Sequence, residues 1–376
     1  MSYLAQVFHQ YPIEVHSAHG AVLTTRDGRQ ILDFYGGHAV AALGYGHPRW
    51  LQALQSQAQA VLFQTNAIPM DVRERAAQRL VQFSQLPLNK VFFINSGAEA
   101  NENALRIAFR LTQRSTAVRL EHGWHGRTAA AGALTSGAEK WFGFPRAPFD
   151  VRVVSRTDAA AACAGITEDT ACVIVEPVQG LAGAFALEAA FLHAVRERCN
   201  QTGALLIFDE VQCGVGRTGF PFGANRVGVT PDLLTTAKAL GAGFPVSALM
   251  MTDAIAAQLP LESLGTTFGG GPMAAAVVEA VLDILESERL LENVNTLSRR
   301  LHTLAGVGPV PAVQGAGFLL GLRCTRPAKA IQAELLSKNI FAGTAADPHI
   351  LRLLPPYTLT LAEVDALFQA LSEIAP

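Results

Sequence analysis

Two charged residues, Asp209 and Lys238, each follow a short apolar run in this sequence. The run ALLIF at residues 204–208 precedes Asp209, and LLTTA at 233–237 precedes Lys238. Such runs are typical of buried parallel strands, and open α/β sheets place their ligands at the carboxyl ends of those strands. Because a buried carboxylate and a buried lysine are both costly, we expect a bound group to use them.

Pyridoxal phosphate is a cofactor that would use both side chains. A lysine amine forms an imine with its aldehyde, and an aspartate keeps its ring nitrogen protonated so that the ring accepts electrons. Burial lowers the pKa of a lysine, as imine formation requires. We therefore predict that Lys238 and Asp209 are catalytic, and that the freed amine carries a proton between substrate and cofactor carbons. A solvated surface position is the alternative for Lys238.

The composition indicates a well-buried α/β protein with two domains. Of 376 residues, 50% are hydrophobic and 16% are charged, and this length exceeds a single small core. A formal net charge of -2 offers no field for nucleic acid or an anionic membrane. The N-terminus lacks a secretion pattern, no apolar stretch reaches bilayer length, and the five cysteines form no paired framework. We expect a cytoplasmic protein with reduced thiols.

Apolar runs alternate with helical patterns from residue 91 onward, which predicts a parallel sheet flanked by helices. Strands are expected at 91–94, 171–175, 204–208, 233–236, 248–251 and 350–354, with two short β runs around the turn at Asp27. One helix should follow Pro48 and carry a stripe of Leu51, Leu54, Ala58 and Val61. Others should follow Gly97, cover 159–164 and, as one long element, span 273–304.

A phosphate-binding turn is predicted at Ser96, Gly97 and Ala98. These residues lie between the strand at 91–94 and the following helix. Free backbone N–H groups and the helix dipole attract a phosphate at such a position. An ordinary strand-to-helix turn is the alternative.

Nine motifs together resemble the class III, fold-type I aminotransferases, and most closely the acetylornithine aminotransferase group. They are YGGHAV (35–40), NSGAEANE (95–102), HGRT (125–128), EPVQG (176–180), DEVQ (209–212), GRTG (216–219), AK (237–238), GTTFGG (265–270) and LRLLPP (351–356). The resemblance implies a large domain with a mostly parallel sheet at 44–275. It also implies a smaller α+β domain, built from an N-terminal segment at 1–43 and a C-terminal segment at 276–376.

The resemblance also implies which residues contact the cofactor. Trp124, where the group usually has phenylalanine, would stack on one face of the pyridine ring, and Val211 would cover the other. Gln212 would reach the ring hydroxyl, and Glu176 would belong to the cofactor site. Thr267 would bind the phosphate of a neighbouring subunit, which implies a homodimer with shared active sites. Gly271 stands where asparagine is usual, a departure that would loosen this loop.

Three residues are implied in substrate binding. Arg127 would hold the carboxylate far from the reacting amine, and Arg352 would pair with the α-carboxylate of glutamate or 2-oxoglutarate, because a guanidinium donates two parallel hydrogen bonds. Thr266 would lie near the neighbour's substrate. A structural ion pair is the alternative for Arg352.

Leu181 is the sharpest departure from the family pattern. Most relatives have glutamate there, which neutralises the α-carboxylate arginine while an ω-amine is bound. Some acetylornithine-group relatives with the YGGHAV pattern carry an apolar residue instead. We therefore expect Arg352 to stay competent for α-carboxylates throughout.

The resemblance implies transfer of the δ-amino group of N2-acetylornithine to 2-oxoglutarate, a step of arginine biosynthesis. N-succinylornithine is an open alternative, because the residues that read the acyl group cannot be chosen from sequence. Other ω-amino donors are ornithine, GABA, N-succinyl-diaminopimelate and a carrier-bound aminoadipate.

Three other interpretations of the sequence are weaker. The GVGRTG stretch at 214–219 matches a dinucleotide-binding pattern, but it does not leave the strand directly and lacks the later acidic residue. His122 and His125 form an HxxH without a third ligand in view, so no metal is expected. A homologue without catalysis would normally have lost Lys238 or Asp209.

Overall fold

The structure is a computed structural model that describes residues 3–376. The strands are β1 (Val15–His19), β2 (Val22–Thr25), β3 (Gln30–Asp33), β4 (Lys90–Ile94), β5 (Thr116–Leu120), β6 (Asp150–Val154), β7 (Thr170–Val175), β8 (Val178–Gln179), β9 (Phe185–Ala186), β10 (Leu205–Asp209), β11 (Leu233–Thr236), β12 (Ser247–Met251), β13 (Ala312–Ala316), β14 (Leu319–Arg323), β15 (Ile340–Phe341), β16 (Gly343–Thr344) and β17 (Ile350–Leu353). The α-helices are α1 (Gly36–Ala39), α2 (Pro48–Ala60), α3 (Asp71–Ser84), α4 (Gly97–Thr112), α5 (Ala129–Ala133), α6 (Ala159–Ala164), α7 (Ala189–Thr202), α8 (Gly223–Val227), α9 (Asp253–Ala256), α10 (Pro272–Ser287), α11 (Leu290–His302), α12 (Ala328–Ser337) and α13 (Leu361–Ser372).

A seven-stranded sheet in the order β4-β12-β11-β10-β7-β5-β6 forms the centre of the molecule. Only β12 runs antiparallel to its neighbours β11 and β4, so the predicted mostly parallel sheet is confirmed. Alternate residues of β7 join two different apolar clusters, with Val173 and Val175 in one and Cys172 and Ile174 in the other. Successive side chains of a strand point to opposite faces, so both faces of the sheet are covered.

The prediction of one long helix at 273–304 is wrong in one respect, because this segment forms two helices. α10 ends at Ser287 and α11 begins at Leu290. Arg289 between them has a left-handed backbone (φ 53°), which an α-helix cannot continue through. The break redirects the chain, since α10 packs against α2 and α3 while α11 packs against α13.

Two smaller four-stranded sheets lie outside the central one. One has the order β1-β2-β3-β15 and the other β13-β14-β17-β16. The parallel pair of β15 with β3 joins the N-terminal and C-terminal parts of the chain. This pairing fits a small domain made from both ends, although the boundaries 1–43, 44–275 and 276–376 stay predictions.

The helix predicted after Pro48 is confirmed as α2, but its apolar stripe is not buried in the single chain. Leu51 is 39% exposed and Val61, which follows the last helical residue, is 40% exposed. A surface with apolar side chains of this kind is available to a partner. No helix within 3–376 is long and apolar enough to cross a membrane.

Candidate active site

A cavity of about 790 Å³ opens at the carboxyl ends of β10 and β11. Its wall contains all the predicted site residues except Thr266 and Thr267, namely Ser96, Gly97, Ala98, Trp124, Arg127, Glu176, Asp209, Val211, Gln212, Lys238 and Arg352. A larger cavity of about 1080 Å³ lies beside α4, but neither Lys238 nor Asp209 lines it. The predicted site residues therefore lie together at the end of the sheet where parallel strands place ligands.

Lys238 lies two positions after the end of β11, in a strained backbone conformation. Its φ of 43° is in the left-handed region, which costs a non-glycine residue roughly 1 kcal/mol or more and is typical of functional sites. The residue is half-buried and lines the cavity. Burial lowers the pKa of Lys238, and the charge of Arg352 adds to this, although Asp209 and Glu176 oppose it. A lowered pKa leaves more of the amine neutral and nucleophilic.

Asp209 is the last residue of β10 and is only 3% exposed. Its Oδ2 accepts hydrogen bonds from Asn101 Nδ2 and His125 Nδ1, both at 2.8 Å, and its Oδ1 accepts from the backbone N–H of Val211 at 3.1 Å. Asn101 is itself held by the Thr235 hydroxyl at 2.6 Å. Three donors therefore fix one carboxylate orientation, and Oδ1 keeps a lone pair for a further donor.

The N-terminus of α4 supplies free donors to the same cavity. Ser96 caps this helix, with its Oγ accepting from the N–H of Glu99 at 3.3 Å. The N–H groups of Gly97 and Ala98 donate to no other residue within 3–376. A Cβ added at Gly97 would lie 2.6 Å from Cγ1 of Val211, so only glycine fits this close approach. Unpaired N–H groups at a helix start attract an anion.

Glu176 anchors the loop that carries Trp124. Its Oε1 accepts from the Trp124 N–H at 2.8 Å, and its Oε2 accepts from the Gly180 N–H at 3.3 Å. Burial raises the pKa of Glu176 to about 7, while His125 opposes this rise. His125 Nε2 is buried and has no partner among the described residues. Glu176 therefore acts on the loop's backbone, which places the Trp124 ring against the cavity.

The two arginines of the cavity are held in different ways. Arg352, on β17, is 3% exposed. Its Nε donates to the Thr344 carbonyl at 2.7 Å, and one terminal nitrogen donates to the Tyr35 hydroxyl at 2.9 Å. Arg127 is exposed, and its guanidinium lies over the rings of Trp124 and Trp141. Neither arginine forms an ion pair with another residue of 3–376.

This arrangement can hold a dicarboxylate near a nucleophilic amine, and comparison with known proteins agrees with that chemistry. Residues 3–375 match the family model described as aminotransferase class III. The chain belongs to the class III aminotransferases. The predicted family, fold type and pyridoxal-phosphate-dependent transferase class are therefore confirmed, and the dinucleotide-binding interpretation is dropped.

Curated relatives of this class III aminotransferase match over most of their length. An acetylornithine aminotransferase of Streptomyces coelicolor is 42% identical, with 94% of this chain and 89% of the relative covered. One from Mesorhizobium japonicum is 38% identical, with 96% and 93% covered. Among solved structures, the acetylornithine aminotransferase of Elizabethkingia anophelis is 26% identical with a TM-score of 0.86, covering 98% of this chain and 96% of that one. An ornithine aminotransferase of Toxoplasma gondii is 25% identical with a TM-score of 0.92, covering 99% and 91%.

The residues of this class III aminotransferase fit pyridoxal phosphate. One cavity holds an amine, a fixed carboxylate with a spare lone pair, and two unpaired N–H groups at a helix start. The close contact of Gly97 with Val211 narrows this end of the cavity. These features match an aldehyde, a ring nitrogen and a phosphate, respectively.

Thr266 and Thr267 lie outside the cavity of their own chain. The Thr266 Oγ1 accepts from Asn95 Nδ2 at 3.3 Å and from the Gly269 N–H at 3.1 Å. Thr267 is exposed. Their expected contacts with a neighbouring subunit stay predictions.

Several residues of the site escaped the sequence reasoning. Asn101 and His125 orient Asp209, a role that their positions in the NSGAEANE and HGRT motifs do not by themselves indicate. Tyr35 supports Arg352, and His38 lines the cavity with its Nδ1 at 2.8 Å from the Tyr35 hydroxyl. The position of Asn101, one helical turn beyond the phosphate turn, could have signalled its role.

Proposed function

We propose that this class III aminotransferase transfers the δ-amino group of N2-acetylornithine to 2-oxoglutarate, giving N-acetylglutamate 5-semialdehyde and glutamate. The observation that carries this proposal is the match to curated acetylornithine aminotransferases at 33% to 42% identity over more than nine-tenths of the chain. The cavity supports it, because two guanidiniums without an acidic partner face the same space as Lys238 and Asp209.

The lining of the cavity supports a set of proposed cofactor contacts. Ser96 and the N–H groups of Gly97 and Ala98 would hold the phosphate, with a neighbour's Thr267 added. Trp124 and Val211 would cover the two ring faces, and Gln212 would reach the ring hydroxyl. When bound, pyridoxal phosphate supplies an aldehyde for the amine and a conjugated ring that takes up an electron pair.

Two residues would do the chemistry. Asp209 would hold a proton on the ring nitrogen through the free lone pair of Oδ1, while its three donors keep the carboxylate in place. Lys238 Nζ would remove the proton from the carbon that bears the transferred amine and return one to the keto carbon of 2-oxoglutarate. Because burial lowers its pKa, Lys238 can accept that proton near neutral pH.

The substrate contacts divide between the arginines. Arg127 would bind the carboxylate distant from the reacting carbon in both substrates, and Arg352 would bind the α-carboxylate of glutamate or 2-oxoglutarate. Thr266 of a neighbour would complete the site. Since Leu181 lines the cavity and cannot ionise, Arg352 would stay free for this carboxylate throughout the cycle.

We also propose a cytoplasmic homodimer with shared active sites. Apolar side chains just after α2 and in the loop that carries Thr266 and Thr267 are exposed, including Leu62 at 64% and Phe268 at 68%. Phe63 and Phe268 contact each other, with ring centroids 5.4 Å apart. This patch lies beside Thr267, and its burial against a second copy would place Thr267 at or near the dimer interface.

A donor panel tests the substrate assignment. The chain loaded with pyridoxal phosphate would receive 2-oxoglutarate and N2-acetylornithine, N-succinylornithine, ornithine, GABA or N-succinyl-diaminopimelate, and glutamate formation would be measured. We expect the highest kcat/KM with N2-acetylornithine. Fastest turnover with free ornithine or GABA would overturn the assignment.

A further inference from the structure

Arg127 faces the active-site cavity without any hydrogen bond or ion pair to another residue of 3–376. An exposed arginine of this kind normally samples many rotamers, which must be given up when it binds a carboxylate. Here the guanidinium carbon lies 5.4 Å from the centroid of the Trp124 ring and 5.2 Å from that of Trp141. Both distances are within the range of a cation–π contact. Two aromatic rings therefore hold a cation that has no polar partner.

The two indoles form a built support. Their centroids are 5.8 Å apart and their planes are inclined by 50°, so the rings make a corner around the guanidinium. Trp124 lines the cavity, whereas Trp141 does not. Trp141 can therefore act on the substrate only through the cavity residues that it contacts, Arg127 and Trp124.

A separate loop delivers Trp141 to this corner. It follows the 3-10 turn Ala138–Lys140, and its N–H donates to the Ala138 carbonyl at 2.9 Å. The loop rests on Gly132 of α5, where an added Cβ would lie 3.2 Å from the Phe142 ring and 3.5 Å from the Trp141 ring. Packing on a glycine lets both rings come close to α5, which begins two residues after Arg127.

An aromatic ring and a carboxylate support a guanidinium in different ways. A carboxylate partner would neutralise the charge and occupy the N–H edge that a substrate needs. An aromatic ring contacts the flat face and leaves both the charge and the N–H edge free. The arrangement therefore preorganises Arg127 for an incoming carboxylate.

We infer that Trp141 is a positioning residue that, with Trp124, holds Arg127 ready for the distal carboxylate of both substrates. The inference rests on the proposed function for the identity of those substrates, and it deepens that function by naming what fixes the arginine. Because the same carboxylate subsite serves both half-reactions, the loss of Trp141 should weaken the binding of both substrates to a similar extent.

A pair of substitutions separates the ring face from simple bulk. W141F keeps an aromatic face, whereas W141L keeps apolar volume without one, and W141M is a second non-aromatic variant if W141L folds poorly. We expect W141L to raise the KM for N2-acetylornithine and for 2-oxoglutarate by about 3- to 10-fold. Its kcat should change less than about 2-fold, and W141F should restore most of the affinity.

Binding of glutarate to the loaded enzyme gives a readout that needs no turnover. Glutarate carries two carboxylates but neither an amine nor a keto group, so calorimetry can report its Kd. The W141L substitution should raise the Kd of glutarate by a similar factor. In a protein that already carries R127A, W141L should cause no further rise in that Kd. This measurement stays informative even if N2-acetylornithine is not the substrate.

Two results would overturn the inference. One is a glutarate Kd that is the same in the wild-type protein, W141L and W141F. The other is an equal weakening by W141L in the presence and absence of Arg127, because Trp141 would then support the fold and not the arginine.

Discussion

Both arginines of the cavity present a guanidinium to a substrate carboxylate, but one is buried and the other is exposed. Arg352 is buried and tied by the Thr344 carbonyl and the Tyr35 hydroxyl, and burial lowers its pKa. Arg127 is exposed and rests against two indole faces. In both cases the support is uncharged, so each guanidinium keeps its full charge for a substrate. A site that must bind dicarboxylates therefore positions its cations without acidic partners.

Of the substitutions that compare the two arginines, the removal of Arg352 should have the largest effect on kcat/KM. We expect R352A to cost about 2–5 kcal/mol of α-carboxylate binding, because a buried hydrogen-bonded cation is lost. That corresponds to a fall of roughly 30-fold or more in kcat/KM for 2-oxoglutarate. Single-turnover reaction with N2-acetylornithine should change far less, since that carboxylate lies elsewhere. Equal damage to both half-reactions would contradict the assigned division of roles.

Removing Arg127 should act on both half-reactions. R127A should lower kcat/KM for N2-acetylornithine and for 2-oxoglutarate by roughly 10-fold, the effect of losing charge-assisted hydrogen bonds of about 1.5 kcal/mol. R127K is the matched control, because it keeps the charge but loses the flat face and the bidentate edge. A selective effect on only one of the two substrates would count against a shared subsite.

Tyr35 tests the uncharged support of Arg352. Y35F removes the hydroxyl that accepts from Arg352, and we expect a loss of about 1 kcal/mol, or roughly 5-fold in the KM for 2-oxoglutarate. Y45F is a matched control, since the Tyr45 hydroxyl donates to Asp33 at 2.7 Å outside the cavity. It should lower stability in thermal unfolding and leave the KM unchanged. If Y45F raised the KM as much as Y35F, the effect would come from Asp33, whose Oδ1 accepts from the Tyr35 N–H at 2.8 Å, and not from the Tyr35 hydroxyl.

The smallest change concerns Leu181. L181E introduces an acid into the cavity wall, where it can pair with Arg352 and compete with the substrate. We expect the KM for 2-oxoglutarate to rise by about 2- to 5-fold, with a smaller rise at high salt. L181Q controls for polarity without charge. An unchanged KM would mean that Arg352 is out of reach of position 181.

The roles of Lys238 and Asp209 could be predicted from the sequence because both residues lie at the ends of strands. A buried apolar run has few structural choices, and its carboxyl end in a parallel sheet faces the ligand. Lys238, Asp209 and the turn at Ser96 follow from this logic, and all three line the cavity. Arg352 was also placed there, on the strength of family resemblance.

The supports of the arginines could not be predicted in the same way. Tyr35 directly precedes α1 and His38 lies within it, where Gly37 and His38 adopt left-handed backbone angles, so no helical or strand period applies. Trp141 comes from an irregular loop that touches Arg127 only after the chain folds. The helix break at Arg289 and the exposed face of α2 were missed because each depends on what the element packs against.

One measurement tests the central assignment most directly. The purified protein loaded with pyridoxal phosphate would be mixed with N2-acetylornithine without 2-oxoglutarate, and its visible absorbance would be followed. We expect the colour of the lysine-bound cofactor to fade within one turnover and to return when 2-oxoglutarate is added, while K238A shows no such cycle. A colour that persists with N2-acetylornithine, or a K238A variant that cycles like the wild-type protein, would contradict the account.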